Sequence, residues 1–174
     1  MNALAEILKI TIPALAVLGA TFFLVKRFLD NEQKRREHEL RTSTQAMMTP
    51  LKIQAYERII IFLERINPNS LVVRVNKNNM TARQLHLDLV STIKSEYEHN
   101  LSQQIYISEG SWQFVKTAKE EIIQLINISS SKVPSDANSS ELAIMILNIS
   151  ANLDKKMPSD AAIEFIKKEI ARLF

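Results

Sequence analysis

The sequence predicts an all-α protein with an amino-terminal transmembrane helix, a charged helical stalk and a compact bundle of about five helices. Three observations lead to this prediction. Residues 10–25 carry no charge, and Lys26 and Arg27 follow at once. No proline or glycine occurs between Ala20 and Thr49, so one helix can continue through this interval. Beyond that point, apolar residues recur at helical spacing between segments rich in Asn, Ser and Pro.

The apolar stretch near the amino terminus is interpreted as a membrane anchor over residues 1–28. A spanning helix needs about 20 apolar residues, so the uncharged stretch alone is short. The flanks supply the missing length, because long side chains such as those of Lys9 and Arg27 can reach the headgroups. A cleaved signal peptide fits less well, since basic residues close the run where a small-residue cleavage site is expected. A buried soluble helix would show a polar face, which this stretch lacks.

The basic residues beside the anchor predict its orientation, because Lys and Arg mark the cytoplasmic side of a span. Only Lys9 lies on the amino-terminal side of the uncharged stretch. Six basic residues lie on its carboxyl-terminal side: Lys26, Arg27, Lys34, Arg35, Arg36 and Arg41. The amino terminus is therefore expected outside and the carboxyl-terminal domain in the cytosol. The absence of cysteine agrees with a reducing compartment.

Residues 29–48 are predicted to form a charged helical stalk. Basic side chains are interleaved with acidic ones there, which is typical of a solvated helix with ion pairs along its surface. The basic residues Lys26, Arg27, Lys34, Arg35 and Arg36 are the candidates for contact with anionic lipid headgroups. A net charge of +3 and a pI near 9.2 would ordinarily suggest nucleic acid as a partner, but the interleaved carboxylates argue against it.

Residues 49–174 are predicted to form the helical domain. Its first helix is expected to start with Thr49 as cap and Pro50 in the first helical position, and to stop at residues 67–69. A capping box formed by Thr81 and Gln84 predicts the start of the second helix. The third is expected from about residue 111, the fourth over 142–149, and the last from residue 158.

Two short β-rich runs interrupt this helical pattern. They cover residues 71–75 and residues 104–107. The sequence predicts that they pair as a minor two-stranded ribbon.

One stretch, Glu96-Tyr97-Glu98-His99, has a spacing that occurs in metal sites. Glu-x-x-His places two ligands on one helical face, but a di-iron bundle needs a second copy and two further glutamates, which the sequence lacks. Phosphate-binding loops are excluded because Gly19 and Gly110 are the only glycines. The sequence therefore predicts no catalytic residue, no metal and no cofactor. A site around Glu96 and His99 is kept as the enzyme alternative.

Three apolar residues are candidates for partner contact. Trp112, the only tryptophan, is predicted to be a core or edge aromatic, with use at an interface as the alternative. Leu173 and Phe174 close the chain and can contact a partner or pack into their own bundle.

Four segments of the sequence resemble a family of small, uncharacterised single-pass membrane proteins of Bacteroidota. The segments are residues 54–58, 62–66, 98–104 and 118–123. This resemblance implies a bacterial inner-membrane protein and brings no activity, ligand or catalytic residue with it.

The leading hypothesis is a non-enzymatic accessory or scaffold subunit of an inner-membrane protein complex. Its expected partners are membrane lipids and an integral membrane protein complex, with a homo-oligomer left open and nucleic acid disfavoured. A module that binds anionic lipid or nucleic acid is the alternative from the binding class, and a hydrolytic or metal enzyme is the alternative from the catalytic class.

Overall fold

A computed structural model describes the backbone of residues 2–173, and the side chains of residues 7, 9, 11, 12 and 15–173. The helices are α1 (Asn2–Ile66), α2 (Pro68–Val75), α3 (Ala82–Asn100), α4 (Glu109–Ser130), α5 (Ser139–Ala151) and α6 (Pro158–Leu173), with a short 3₁₀ helix at Leu101–Ile105. Within the described residues the only β-type pairing is an isolated bridge between Thr81 and Asn138. The predicted all-α class is confirmed.

The chain divides into two compact units, one up to Thr49 and one from Pro50 onward. The first unit consists of the amino-terminal part of α1. The second consists of the last turns of α1 together with α2 to α6.

The predicted transmembrane anchor over residues 1–28 is wrong. In the part of the chain that the structure describes, no helix is both long enough and apolar enough to cross a membrane. The uncharged residues 10–25 cover about 24 Å as a helix, whereas the hydrocarbon core is about 30 Å thick. Lengthening the span brings Lys9, Lys26 and Arg27 toward the hydrocarbon, where charged side chains are costly.

The predicted helix start at Thr49 is also wrong, because α1 continues through Thr49 and Pro50. The Thr49 hydroxyl donates a hydrogen bond of 2.9 Å to the carbonyl of Gln45 and does not cap a new helix. The Thr42 hydroxyl bonds in the same way to the His38 carbonyl. Hydroxyls that bond four residues back are satisfied inside a helix, so these threonines do not end it.

The core of the second unit lies between the last turns of α1 and helices α2 to α6. Helix α4 is the central element, since it packs against α3, α5 and α6. The fully buried side chains with the largest volume are Phe62, Ile59, Leu63, Ile66, Leu71, Leu85, Leu89, Ile93, Ile122, Ile126, Leu142 and Ile146. Their spacing of three and four residues within each helix agrees with the apolar periodicity of the sequence.

Two predicted helix starts in this unit are confirmed. The Thr81 hydroxyl accepts a hydrogen bond from the backbone N–H of Gln84 at 3.2 Å, and the Thr81 N–H donates to the Gln84 side chain at 2.9 Å. This is the predicted capping box of α3. Helix α6 begins at Pro158, as predicted, while α4 begins at Glu109 with Ser108 as its cap.

The predicted two-stranded ribbon is wrong. Its first run lies in α2 and its second overlaps the 3₁₀ helix. The Asn67 side chain accepts a hydrogen bond from the N–H of Asn69 and caps α2, and Pro68 occupies the first turn. Pro68, Leu71 and Val72 are buried together. Because burial of this helical face decides the conformation, the β-propensity of the valines is overridden.

Candidate functional site

Glu96 and His99, the two residues that the sequence singled out, lie in the wall of one groove in the second unit. The groove runs between the last turns of α1 and helix α3 and encloses about 440 Å³. Arg58, Arg65 and the exposed Ile61 line it from α1, above the buried ring of Phe62. Sequence reasoning thus found part of the groove on α3 and missed the side that α1 contributes.

Glu96 is engaged by two arginines. Arg65 donates from Nε at 2.8 Å and approaches with Nη2 at 2.5 Å, both toward Oε1 of Glu96. Arg74 lies 4.0 Å from the same oxygen and donates from Nη2 to the Arg65 carbonyl at 3.1 Å. Such charge-assisted bonds fix the guanidinium groups in space. The carboxylate therefore orients two arginines along the groove.

Glu96 and His99, whose spacing occurs in metal sites, do not belong to a metal centre in the described residues. No three His, Cys, Asp or Glu side chains lie close enough together there to hold a metal ion. His99 is exposed and lines the groove at the end of α3.

The arginines that the sequence analysis missed could have been found from their spacing. Arg58 and Arg65 are seven residues apart, which is close to two helical turns, so both lie on one face of α1. Within the described residues, Arg58 has no hydrogen-bonding or ion-pairing partner in the groove. Glu96 lies opposite these arginines through a long-range contact, which the local spacing of residues in the sequence does not reveal.

A second cavity of about 300 Å³ adjoins the first, because Arg65 and Glu96 belong to the walls of both. We call the two cavities together the arginine groove. Its charged side chains are Arg58, Arg65, Arg74, Lys77, Asp88 and Glu96. Four cations face two carboxylates, so the groove has an excess of positive charge.

The first unit carries a different feature, a continuous exposed apolar surface. We call residues 15–29 the apolar segment. Its large apolar side chains are 51–69% exposed. They are Leu15, Val17, Leu18, Phe22, Phe23, Leu24, Val25, Phe28 and Leu29. Because consecutive residues point about 100° apart on a helix, the run from Phe22 to Val25 covers every side of α1. Apolar patches of this extent mark interaction surfaces.

Of the five residues predicted to contact lipid headgroups, two are in ion pairs and three are in none within the described residues. Arg35 pairs with Glu39 at 2.9 Å and Arg36 with Glu32 at 3.2 Å, which confirms the predicted ion pairs along the stalk. The guanidinium of Arg27 lies 5.3 Å above the ring of Phe23. Lys26 and Lys34 form no ion pair within the described residues. The charge available to an anionic partner is therefore centred on these two lysines and Arg27.

The three predicted partner-contact residues lie in different surroundings. Trp112 is buried and stacks on Tyr97 with ring centroids 5.4 Å apart, so it occupies the predicted core position and offers little surface to a partner. Leu173 is exposed at the end of α6. Phe174 lies outside the described residues.

A carboxylate on α6 ties three helices of the second unit together. Glu169 accepts hydrogen bonds from the hydroxyls of Tyr56 and Ser108, and from Ser111 at 2.9 Å. Burial alone would raise the pKa of the Glu169 carboxyl, but these three bonds outweigh it and hold the pKa below its usual value. Burial and the bond to Glu169 raise the pKa of Tyr56 to about 12. The cluster joins α1, α4 and α6, and its hydroxyls are occupied by these bonds.

A comparison with known protein families matches residues 2–173 to DUF7935, a family of unknown function. The chain belongs to this family. The match covers both units and confirms the predicted membership of an uncharacterised family. No curated protein and no solved structure matches the chain.

Proposed function

We propose that this protein is a non-catalytic accessory or scaffold subunit of a protein complex in the inner membrane of Bacteroidota. The apolar segment attaches it to the complex, and the unit from Pro50 onward is presented to further partners. The observation that carries this proposal is the apolar segment, whose large side chains are exposed on every side of α1.

A helix that is apolar on all sides requires apolar surroundings on all sides. Full burial of one large apolar side chain is worth about 1.5–3 kcal/mol, so covering several of those in the segment supplies a substantial driving force. A helix that lies on a lipid surface keeps a polar face toward water. The segment has none between Phe22 and Val25, which favours its enclosure between apolar surfaces of a partner protein.

Two details of the segment support helix packing. The Thr21 hydroxyl donates to the Val17 carbonyl at 2.8 Å, so it needs no partner outside the helix. A Cβ added at Gly19 would meet open space, and Ala16 and Ala20 lie on the same helical face as Gly19, which gives that face small side chains. Small residues let a neighbouring helix approach closely.

Two basic residues, one near the carboxyl end of the segment and one just beyond it, support a location at an anionic membrane surface. Lys26 and Lys34 are exposed and are not paired within the described residues. Lysine side chains near an anionic leaflet gain about 1 kcal/mol each.

No observation favours the enzyme alternative around Glu96 and His99. Arg65 holds the carboxylate of Glu96, and no third metal-ligating side chain joins the pair in the described part of the chain.

The proposal predicts that the protein has a reproducible companion. The test is to tag its carboxyl terminus, cross-link it in native membranes, purify it in mild detergent and identify the companions by mass spectrometry. We expect a stoichiometric membrane protein whose cross-links map near the apolar segment. Recovery of the chain without a reproducible companion would contradict the proposal.

A further inference from the structure

The arginine groove of the second unit has the features of a site for a negatively charged chain. We infer that it binds an acidic segment of a partner protein, one in which carboxylate side chains are interspersed with apolar ones. This inference rests on the proposed function, because it specifies the chemistry of a partner of the presented unit.

The groove holds cationic groups with hydrogen-bonding capacity to spare. Arg58 has no partner in the groove within the described residues. A guanidinium carries five N–H donors, of which Arg65 directs one from Nε and one from Nη2 toward Glu96, so three remain. The side chain of Arg65 is 47% exposed, which leaves these donors within reach of a ligand. Carboxylates form paired, charge-assisted bonds with such groups.

The cations are spread along the groove and do not converge on one point. Arg58 and Arg65 are separated by about 10 Å along the axis of α1, given seven residues at 1.5 Å each. Arg74 and Lys77 extend the positive charge along the second cavity. An extended peptide advances about 3.3–3.6 Å per residue, so three residues cover the distance between the first two arginines. A single phosphate would reach only part of this array.

The other side chains of the groove favour a peptide over a nucleic acid. Asp88 and Glu96 interrupt the row of cations, so a strand with a phosphate at every nucleotide fits less well than a peptide whose carboxylates can be spaced to meet only the cations. Ile61 is exposed beside Arg58 and Arg65, and the Phe62 ring lies beneath them. In an extended peptide every second side chain faces the same way, so an apolar side chain with an acidic one two residues away on each side can cover Ile61 while the acidic side chains meet the arginines.

The test uses the full chain, purified in mild detergent, and a fluorescein-labelled peptide of about nine residues built from Glu and Leu. Binding is followed by fluorescence polarisation, with a Lys/Leu peptide, inorganic phosphate and a single-stranded oligonucleotide as comparisons. We expect saturable binding of the Glu/Leu peptide that weakens several-fold as salt is raised from about 50 to about 300 mM. The Lys/Leu peptide should not bind.

Arg58→Ala is the diagnostic variant, because Arg58 has no described partner in the groove whose loss would disturb the fold. It should weaken peptide binding about fivefold, and Arg58→Lys should restore part of it. The matched control is Arg83→Ala, at an exposed arginine that lines neither cavity. It should bind as the unaltered chain does.

Three results would overturn the inference. They are no binding up to about 1 mM peptide, equal weakening by Arg58→Ala and Arg83→Ala, or tighter binding of phosphate or the oligonucleotide than of the peptide. Leu24→Glu separates this inference from the proposed function. It alters the apolar segment only, so peptide binding should persist in a chain that has lost its membrane companion.

Discussion

Phe62→Ala is expected to lower the free energy of unfolding of the second unit by about 3–5 kcal/mol. Phe62 is 1% exposed and packs against the ring of Tyr97, with centroids 6.0 Å apart. Removing the ring loses its burial and leaves a cavity between α1 and α3 that the helices can close only in part. Urea unfolding followed by the fluorescence of Trp112 measures the effect, because this single tryptophan stacks on Tyr97 in the same core.

Phe114→Ala is the matched control for this substitution. Phe114 is 40% exposed and stacks on Phe165 at 4.2 Å, so its truncation removes less buried surface and creates no enclosed cavity. We expect a loss of about 1 kcal/mol. Equal losses for the two variants would show that the core is not centred where the structure places it.

Glu169→Ala is expected to lower the free energy of unfolding by about 2–4 kcal/mol, because two buried hydroxyls lose their acceptor. Tyr56 is 2% exposed and Ser111 is fully buried, so water cannot readily replace the carboxylate. Tyr56→Phe removes one donor and leaves Glu169 with the two serines, so it should cost only about 1 kcal/mol. The double variant should lose less than the sum of the two single losses.

The control for Glu169→Ala is Glu98→Ala, at an exposed glutamate near the end of α3. It should change the stability by less than about 0.5 kcal/mol. If both variants lose the same stability, the Glu169 cluster does not tie the helices together.

The pH dependence of stability gives a second readout of the same cluster. The folded-state pKa of Glu169 lies below its ordinary value of 4.5, so its contribution is present above that pH and is lost as the pH falls below it. The pKa of Tyr56 is raised from 10.0 to about 12, so its contribution is lost as the pH rises through that interval. Glu169→Ala should flatten the acid end and should reduce the alkaline end only in part, because burial, the largest cause of the raised Tyr56 pKa, remains.

Local sequence signals predicted those parts of the fold that are decided locally. The Thr81 and Gln84 capping box and the start of α6 at Pro158 depend on residues within one turn, and both are as predicted. The anchor was wrong because charged flanks leave the apolar interval too short. The helix start at Pro50 was wrong because continuing turns on both sides outweigh one missing hydrogen bond.

Local spacing contains only part of the candidate site. The spacing of Glu96 and His99 singled out a face of α3 that lines the arginine groove. It could not show that Arg65, 31 residues earlier, would hold Glu96. The contact between Tyr56 and Glu169 joins residues 113 apart and leaves no local signal. Such contacts are set by the packing of α1 against α3 and α6, which periodicity alone does not determine.

The most direct test of the account compares Leu24→Glu with Leu40→Glu in native membranes. The two leucines lie on the same helical unit and are 66% and 68% exposed, but only Leu24 belongs to the apolar segment. After cross-linking and purification in mild detergent, we expect Leu24→Glu to lose its membrane-protein companion and Leu40→Glu to retain it. Retention of the companion by both variants would contradict attachment through the apolar segment.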